Sequence, residues 1–383
     1  MKNILVIHTK YRSTGGEDIA VNNETEFLKK SFNIKTLYYS NEIKNHFLQL
    51  IYFLINRNFE SEKKLNKVIN EFNPDFVYIH NTWFKGSNGI FKFLNKRNIP
   101  YAIKIHNFRY DCTRFILSKN HFRSSDYCNL CGLNKSDMGL FNTYFLDSKL
   151  KSFFVILYGK KYFKILKEKQ TKILVLTKFH KSYLSKVLQK DENIYIFPNI
   201  TNHVQGIENN KDKKFIVYAG RISDEKGVDI LIDTFRKANL ENITLKIIGG
   251  GPRLNHLKEN FKEPNIEFLG ILNNEDTLKL ISKSLAVVTA TKLYEGQPTL
   301  LCEASMLEVP SIFPDTGGIK EFFPLDYKLK FEQFNYQDLK SKLLILNNEK
   351  LLNEIGIKNK NFLNNFLDEG VFVSKFKSII DDE

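Results

Sequence analysis

The chain has 383 residues, 42% hydrophobic and 26% charged, the make-up of a folded protein of two or three domains. Such a length buries enough apolar surface to fold without staples, which excludes a disulfide-built miniprotein, a collagen-like fibre and a wholly disordered chain. A net charge of +14, from 57 basic and 43 acidic residues, favours an anionic partner: nucleic acid, an anionic membrane surface or a phosphorylated small molecule. The lysines are scattered rather than gathered in one arm, so solvated surface lysines also account for part of the excess.

The first residues, MKNILVIHT, run straight into a strand pattern with no signal-peptide cleavage site, so the thiols are expected to be reduced and the chain cytoplasmic. The stretch Phe153–Gly159 is far shorter than the ~18 apolar residues that cross a bilayer. Nearly continuous apolar, β-branched runs predict buried parallel strands at Ile4–Thr9, Ile34–Tyr39, Phe76–His80, Tyr101–His106, Ile173–Thr177 and Ile194–Phe197. Polar, Asn-rich and aperiodic, Pro198–Lys214 reads as a linker. Strand patterns resume at Phe215–Ala219, Leu245–Ile248, Ile266–Leu269, Ala286–Thr289 and Ser311–Phe313. Helix-length patterns lie between most of them, and the tail after Leu343 reads as helices. Strand–helix alternation of this kind means an α/β fold with doubly wound parallel sheets, and two series mean two Rossmann-like domains. The expected division is 1–200 and 213–363, with a C-terminal helix at about 364–383 packing back on the first domain.

The segment YEGQPTLLCEA, Tyr294–Ala304, sets Glu295 and Glu303 eight positions apart around a helix start near Pro298. Free N–H groups at a helix start suit a phosphate, and carboxylates suit sugar hydroxyls through charge-assisted hydrogen bonds. An ordinary charged helix end plus a solvated Glu fits the same spacing. In YAGRISDEKG, Arg221 and Lys226 follow a strand end, where open α/β sheets bind ligands, so they are placed to clamp a diphosphate or simply to pair with Asp224 and Glu225. IGGGP brings Gly251 to a further strand exit, and TKYRSTGGED brings Gly15 and Gly16. His106 ends the strand of IKIHN, as a sugar-binding, proton-moving or structural residue. A dinucleotide fingerprint and a P-loop are absent from the sequence. Sharing strand-exit positions, these groups are expected to face one interdomain cleft.

Together, GRISDEKG (220–227), GGGP (249–252), EGQPTLLCE (295–303, an E-x7-E) and TGGIKE (316–321) resemble the family 4 glycosyltransferases, which have the GT-B fold. First-domain segments GGED, HNFR and FPN extend the resemblance, which is to bacterial enzymes of capsule, lipopolysaccharide and other surface glycans. The resemblance implies retaining transfer from a UDP- or GDP-linked sugar to a glycan or lipid-linked acceptor, with no cofactor and no required metal. It implies that Arg221 and Lys226 neutralise the leaving diphosphate, Glu295 binds the donor sugar and Glu303 the ribose. Gly15 and Gly16 let backbone approach the phosphate, and His106 lies near the transferred sugar. Gly251, Leu269 near the base, and Pro298, Thr299 and Leu300 at the helix start complete the donor-binding set. Two departures stand out. Gly296-Gln297-Pro298 follows Glu295 where the family usually has an aromatic–Gly pair, and FFPLDYKLKF after Glu321 lacks the usual Asp/Asn-Gly turn.

Cys128 and Cys131 have ligand spacing but no second such pair follows; Cys112 or a histidine, His106 or His121, would complete four zinc ligands, and otherwise the three are free thiols. Lys149–Lys169 is either a basic surface for anionic lipid or a core helix with a solvated lysine face. A peripheral membrane position is therefore part of the expectation. Competing readings are a GT-B epimerase or sugar phosphorylase and a catalytically inactive scaffold. Nucleic acid is not an expected partner, since no recognised module appears.

Overall fold

The computed structural model describes residues 1–10, 15–42, 45–123, 125–145, 148–200 and 214–382. The chain divides into two compact units, one formed by Met1–Ile200 with Glu369–Glu383 and the other by Thr201–Asp368. Of the expected linker, residues 201–213 lie outside the described residues.

The first unit contains β1 (Asn3–Lys10), β2 (Asn33–Ser40), β3 (Phe76–Ile79), β4 (Tyr101–Ile105), β5 (Lys172–Val175) and β6 (Ile194–Ile196). They pair in the order β2-β1-β3-β4-β5-β6, each pair parallel. The second unit contains β7 (Phe215–Ala219), β8 (Thr244–Ile248), β9 (Ile266–Gly270), β10 (Ala286–Val288), β11 (Ser311–Asp315) and β12 (Lys330–Glu332). Their order is β12-β11-β10-β7-β8-β9, again parallel throughout. Every expected strand is found within a few residues of its predicted ends. The unpredicted β12 is a three-residue edge strand, too short to leave an apolar run.

Alternation sets the layers. In β1, Leu5 and Ile7 join one buried cluster while Ile4 and Val6 join another on the opposite face. The helices that matter below are α1 (Gly16–Leu28), α2 (His46–Ile55), α3 (Arg109–Cys112), α4 (Ser118–Phe122), α5 (Lys149–Lys167), α6 (Val228–Ala238), α7 (Asn274–Ser282), α8 (Thr299–Met306), α9 (Glu349–Phe366) and α10 (Glu369–Asp381). Asparagine delimits many of them. Asn45, Asn273 and Asn348 accept from the first-turn amides of α2, α7 and α9, and Asn56 and Asn239 close α2 and α6 in left-handed conformation. The last helix, α10, belongs to the first unit, where Phe372 and Phe376 pack on Phe27, Phe32, Tyr78 and Phe197.

In an open α/β sheet, ligands sit beyond the strand C-termini where the strand order reverses. In the first sheet the reversal lies between β1 and β3, and in the second between β7 and β10.

Candidate functional site

The reversal point of the second unit carries the charged residues of the motifs. After β7 the chain passes exposed Arg221 and makes a tight turn at Asp224–Lys226 before α6. After β10 comes Glu295, then α8. The Lys226 ammonium donates to Glu295 Oε1 at 2.6 Å, and the Thr291 hydroxyl donates to the same oxygen at 3.0 Å. Arg221 enters no ion pair among the described residues; its carbonyl accepts from the Tyr218 hydroxyl.

Glu295 is held by backbone. Its carbonyl accepts from Gly318 N at 2.8 Å, and Gly317 stands at φ +57 with Glu295 backbone so close that a Cβ there would meet its oxygen at 2.3 Å. TGGIKE is therefore the mould that sets the Glu295 loop. Gly251 is needed for a similar reason. A Cβ on it would lie 2.2 Å from the Ile222 carbonyl, so the β8 exit loop rests directly on the β7 exit loop. Ile222 N donates to Gly250 O across the same seam.

Pro298 caps α8 rather than opening it, with φ −82 and ψ 81, and Thr299 and Leu300 are the first helical residues. No side chain caps this helix start and no acid sits in its first turn, so its leading amides remain donors for an anion. Glu303 is the fifth residue of α8 and is buried. Burial pushes its carboxyl up to about 7, with Asn274 of α7 hydrogen-bonded to it. Leu269 lies in β9, partly exposed.

The reversal point of the first unit is a cavity of about 210 Å³. His80, one residue past β3, and His106, one residue past β4, stack with centroids 5.3 Å apart and share a hydrogen bond of 3.0 Å between His80 Nδ1 and His106 Nε2. Burial holds both well below the usual histidine range, so one neutral ring donates to the other. Glu17, Trp83, Arg109 and Tyr144 complete the wall. Gly15 precedes α1 and Gly16 opens it; Gly15 N donates to Asp18, whose other oxygen meets His8 Nε2 at 2.8 Å. Lys104, which also lines the cavity, is fully buried in an ion pair with Glu24, donates to the Pro198 carbonyl and lies over the Phe197 ring.

Thus Arg221, Lys226, Gly251, Glu295, Pro298, Thr299, Leu300 and Glu303 lie on strand-exit loops and one helix of the second unit, and Gly15, Gly16 and His106 on such exits of the first. Sequence reasoning passed over His80, although a signal was present: Ile79-His80-Asn81 and Ile105-His106-Asn107 are the same tripeptide at the ends of adjacent strands. Cys112, Cys128 and Cys131 gather around His121, not His106.

The apolar segment Phe153–Gly159 lies within α5, a largely buried helix whose lysines at 149, 160, 164 and 167 face outward. Beside it α2 turns Phe53 inward onto Phe154 and Tyr158 and exposes Phe47, Ile51, Leu54 and Ile55. No helix among the described residues is long and apolar enough to cross a membrane.

Residues 199–362 match the family model of glycosyl transferases group 1. The chain is 30% identical over 214 residues to an uncharacterized glycosyltransferase of Methanocaldococcus jannaschii, covering 54% of this chain and 59% of that one. It is 28% identical to the amylovoran biosynthesis glycosyltransferase AmsD of Erwinia amylovora, over 37% of this chain and 42% of the relative. It is 34% identical to the O-antigen biosynthesis glycosyltransferase WbnH of Escherichia coli, over 30% and 32%. The matches therefore span between about a third and three fifths of these relatives' lengths. Among solved structures, sucrose-phosphate synthase of Thermosynechococcus elongatus superposes with TM-score 0.72 at 14% identity, over 100% of this chain and 98% of that one. Anabaena HepE in complex with UDP and glucose superposes with TM-score 0.67 at 12% identity over the whole of both chains. Motif, sheet order and likeness converge: the chain has the GT-B fold, and the residues of its second unit match the family model of glycosyl transferases group 1.

Proposed function

We propose that the chain is a retaining glycosyltransferase of the family 4 type. It moves a sugar from a UDP- or GDP-linked donor to a hydroxyl of a glycan or lipid-linked acceptor in surface-polysaccharide synthesis. The observation that carries this reading is the Lys226–Glu295 contact beside exposed Arg221 at the reversal point of the second sheet. A cation and a carboxylate in contact match the two ends of a nucleotide-sugar: phosphate oxygens on one side, sugar hydroxyls on the other.

In this proposal the diphosphate lies against Arg221, Lys226 and the leading amides of α8, and Glu295 accepts from the sugar hydroxyls. Glu303 accepts from the ribose, and Leu269 borders the base. The acceptor oxygen attacks the anomeric carbon on the face from which the phosphate departs. The bond from that carbon to the phosphate oxygen breaks as the bond to the acceptor forms. The diphosphate leaves with the electron pair, and the acceptor proton passes to it. Positive charge at Arg221 and Lys226 stabilises the leaving group, the part a metal ion would otherwise play. His106 and His80, held neutral and bonded to each other, present one free ring nitrogen that accepts from a sugar or acceptor hydroxyl and one N–H that donates to such an oxygen. The exposed apolar face of α2 beside the lysines of α5 supports contact with an anionic membrane carrying the acceptor.

Thermal-shift titration with UDP, GDP, ADP and CMP tests the donor site, because a ligand that binds the folded state raises the midpoint by mass action. One nucleoside diphosphate should stabilise the chain, and Lys226→Ala should abolish most of that shift. A flat response to every nucleotide, or unchanged affinity in the variant, sinks the assigned clamp.

A further inference from the structure

Between β4 and α5 the chain makes an excursion with little regular structure: α3, α4, a short 3-10 turn at Lys135–Asp137 and two isolated bridges, Leu117 to Phe141 and Tyr127 to Asn134. A segment of this kind has little backbone ladder to hold itself together, and it leaves Ile116, Leu117 and Leu140 exposed. Yet Cys112, His121 and Cys128 are each at least 97% buried, and Cys131 lies beside them.

One ligand atom from each of these four residues lies within 4.8 Å of all the others. A tetrahedral zinc with sulfur at about 2.3 Å and nitrogen at about 2.0 Å sets its ligands roughly 3.5–3.8 Å apart, so the cluster is close to that size already. His121 Nε2 stands 3.1 Å from Cys131 Sγ, and His121 Nδ1 is buried without a hydrogen-bond partner among the described residues. The Cys128–Cys131 pair is carried on a tight reversal: Gly132 N donates to Cys128 O at 2.7 Å, Cys128 N donates to Leu133 O at 3.0 Å, and Gly132 takes φ +86. The reversal brings both thiols of the C-x2-C to one side, where Cys112 of α3 and His121 of α4 close the set.

We propose that Cys112, His121, Cys128 and Cys131 bind a structural zinc ion. Three thiols and one imidazole are a zinc ligand set, and four protein ligands leave no open position for chemistry. A disulfide would satisfy two of the thiols and strand the third beside the imidazole. Binding releases three thiol protons and adds folding free energy to a segment with little regular structure. The ion would also fix a wall of the first-unit cavity, because Arg109 and Tyr110, on the same short helix as Cys112, line it next to His106. This site does not depend on the donor reading.

The test is a zinc measurement on the full chain, purified without a histidine tag from zinc-supplemented cells. One zinc per chain is expected, released by p-hydroxymercuribenzoate as the thiols are titrated. Cys131→Ser and His121→Ala should lower the retained zinc by about tenfold or more. Because loss of a ligand can unfold such variants, the wild-type chain is also stripped and reloaded with cobalt(II), which should give thiolate charge-transfer and tetrahedral d–d absorption. Wild-type protein with under about a tenth of an equivalent of zinc overturns the proposal, as does a cobalt spectrum of octahedral aquo type. A disulfide among the three cysteines in the native chain overturns it equally.

Discussion

Three residues make the sharpest predictions. Glu303, buried and pushed up to about 7, is mostly protonated at pH 6 and mostly ionised at pH 8. A carboxylate accepts from hydroxyls more strongly than a carboxyl does. Affinity for the stabilising nucleoside diphosphate should therefore rise about five- to tenfold between pH 6 and 8, and calorimetry on Glu303→Gln should show the rise flattened. Glu295→Gln should cut transfer roughly ten- to a hundredfold while leaving nucleoside diphosphate affinity nearly intact, and equal losses in both would reject its assignment to the sugar. His180 lies tilted against Phe108 and parallel to Tyr110, and burial holds it at about 3 against an ordinary 6.5. Below pH 6.5 the unfolded chain takes up a proton that the folded chain refuses, so stability falls as pH falls from 6.5 toward 3. Urea denaturation of His180→Phe across that window should show a shallower decline than the wild type.

Elements explain what could be read from sequence and what could not. Buried parallel strands write themselves as apolar runs, which is why β1, β3, β7 and β8 were legible almost to the residue. Edge strand β12 alternates half-buried, buried and exposed over three residues and leaves no such run. Glu295, Lys226 and the glycines could be singled out as candidates because strand-exit loops impose residue types. His121 was not separable from His106, because the choice depends on how α4 folds under the Cys128–Cys131 reversal, which no spacing encodes. Two helices carry predictions of their own. Phe376 of α10 is fully buried against Phe32, Tyr78 and Phe197. Its replacement by Ala should cost about 3–5 kcal/mol in urea denaturation of the first unit. On α2, Phe47→Ser with Leu54→Ser should reduce co-sedimentation with anionic vesicles several-fold, with added salt weakening what remains. Unchanged binding would remove that face from the membrane proposal.

At the scale of the whole molecule, two sheets of different strand order each carry candidate groups on the loops at their own point of reversal. Basic residues are scattered along the sequence of both units rather than gathered in one arm, and a nucleotide-sugar with an anionic membrane accounts for the excess in the proposed function. The fold was legible as a whole because strand–helix alternation is a property of long stretches. Donor base, sugar and acceptor depend instead on a few side chains at loop tips.

The return of α10 to the first unit bears on how the protein is made. Ribosomes release the chain from its N-terminus, and residues 1–200 emerge with the groove of Phe27, Phe32 and Phe197 still uncovered. All of residues 201–368 must be synthesised before the covering aromatics Phe372 and Phe376 appear. The second unit, contiguous in sequence, is thus the first that can be completed during translation, and the unit begun first is finished last. Until Phe372 and Phe376 leave the ribosome, the nascent chain carries an open aromatic surface that a chaperone is suited to shield.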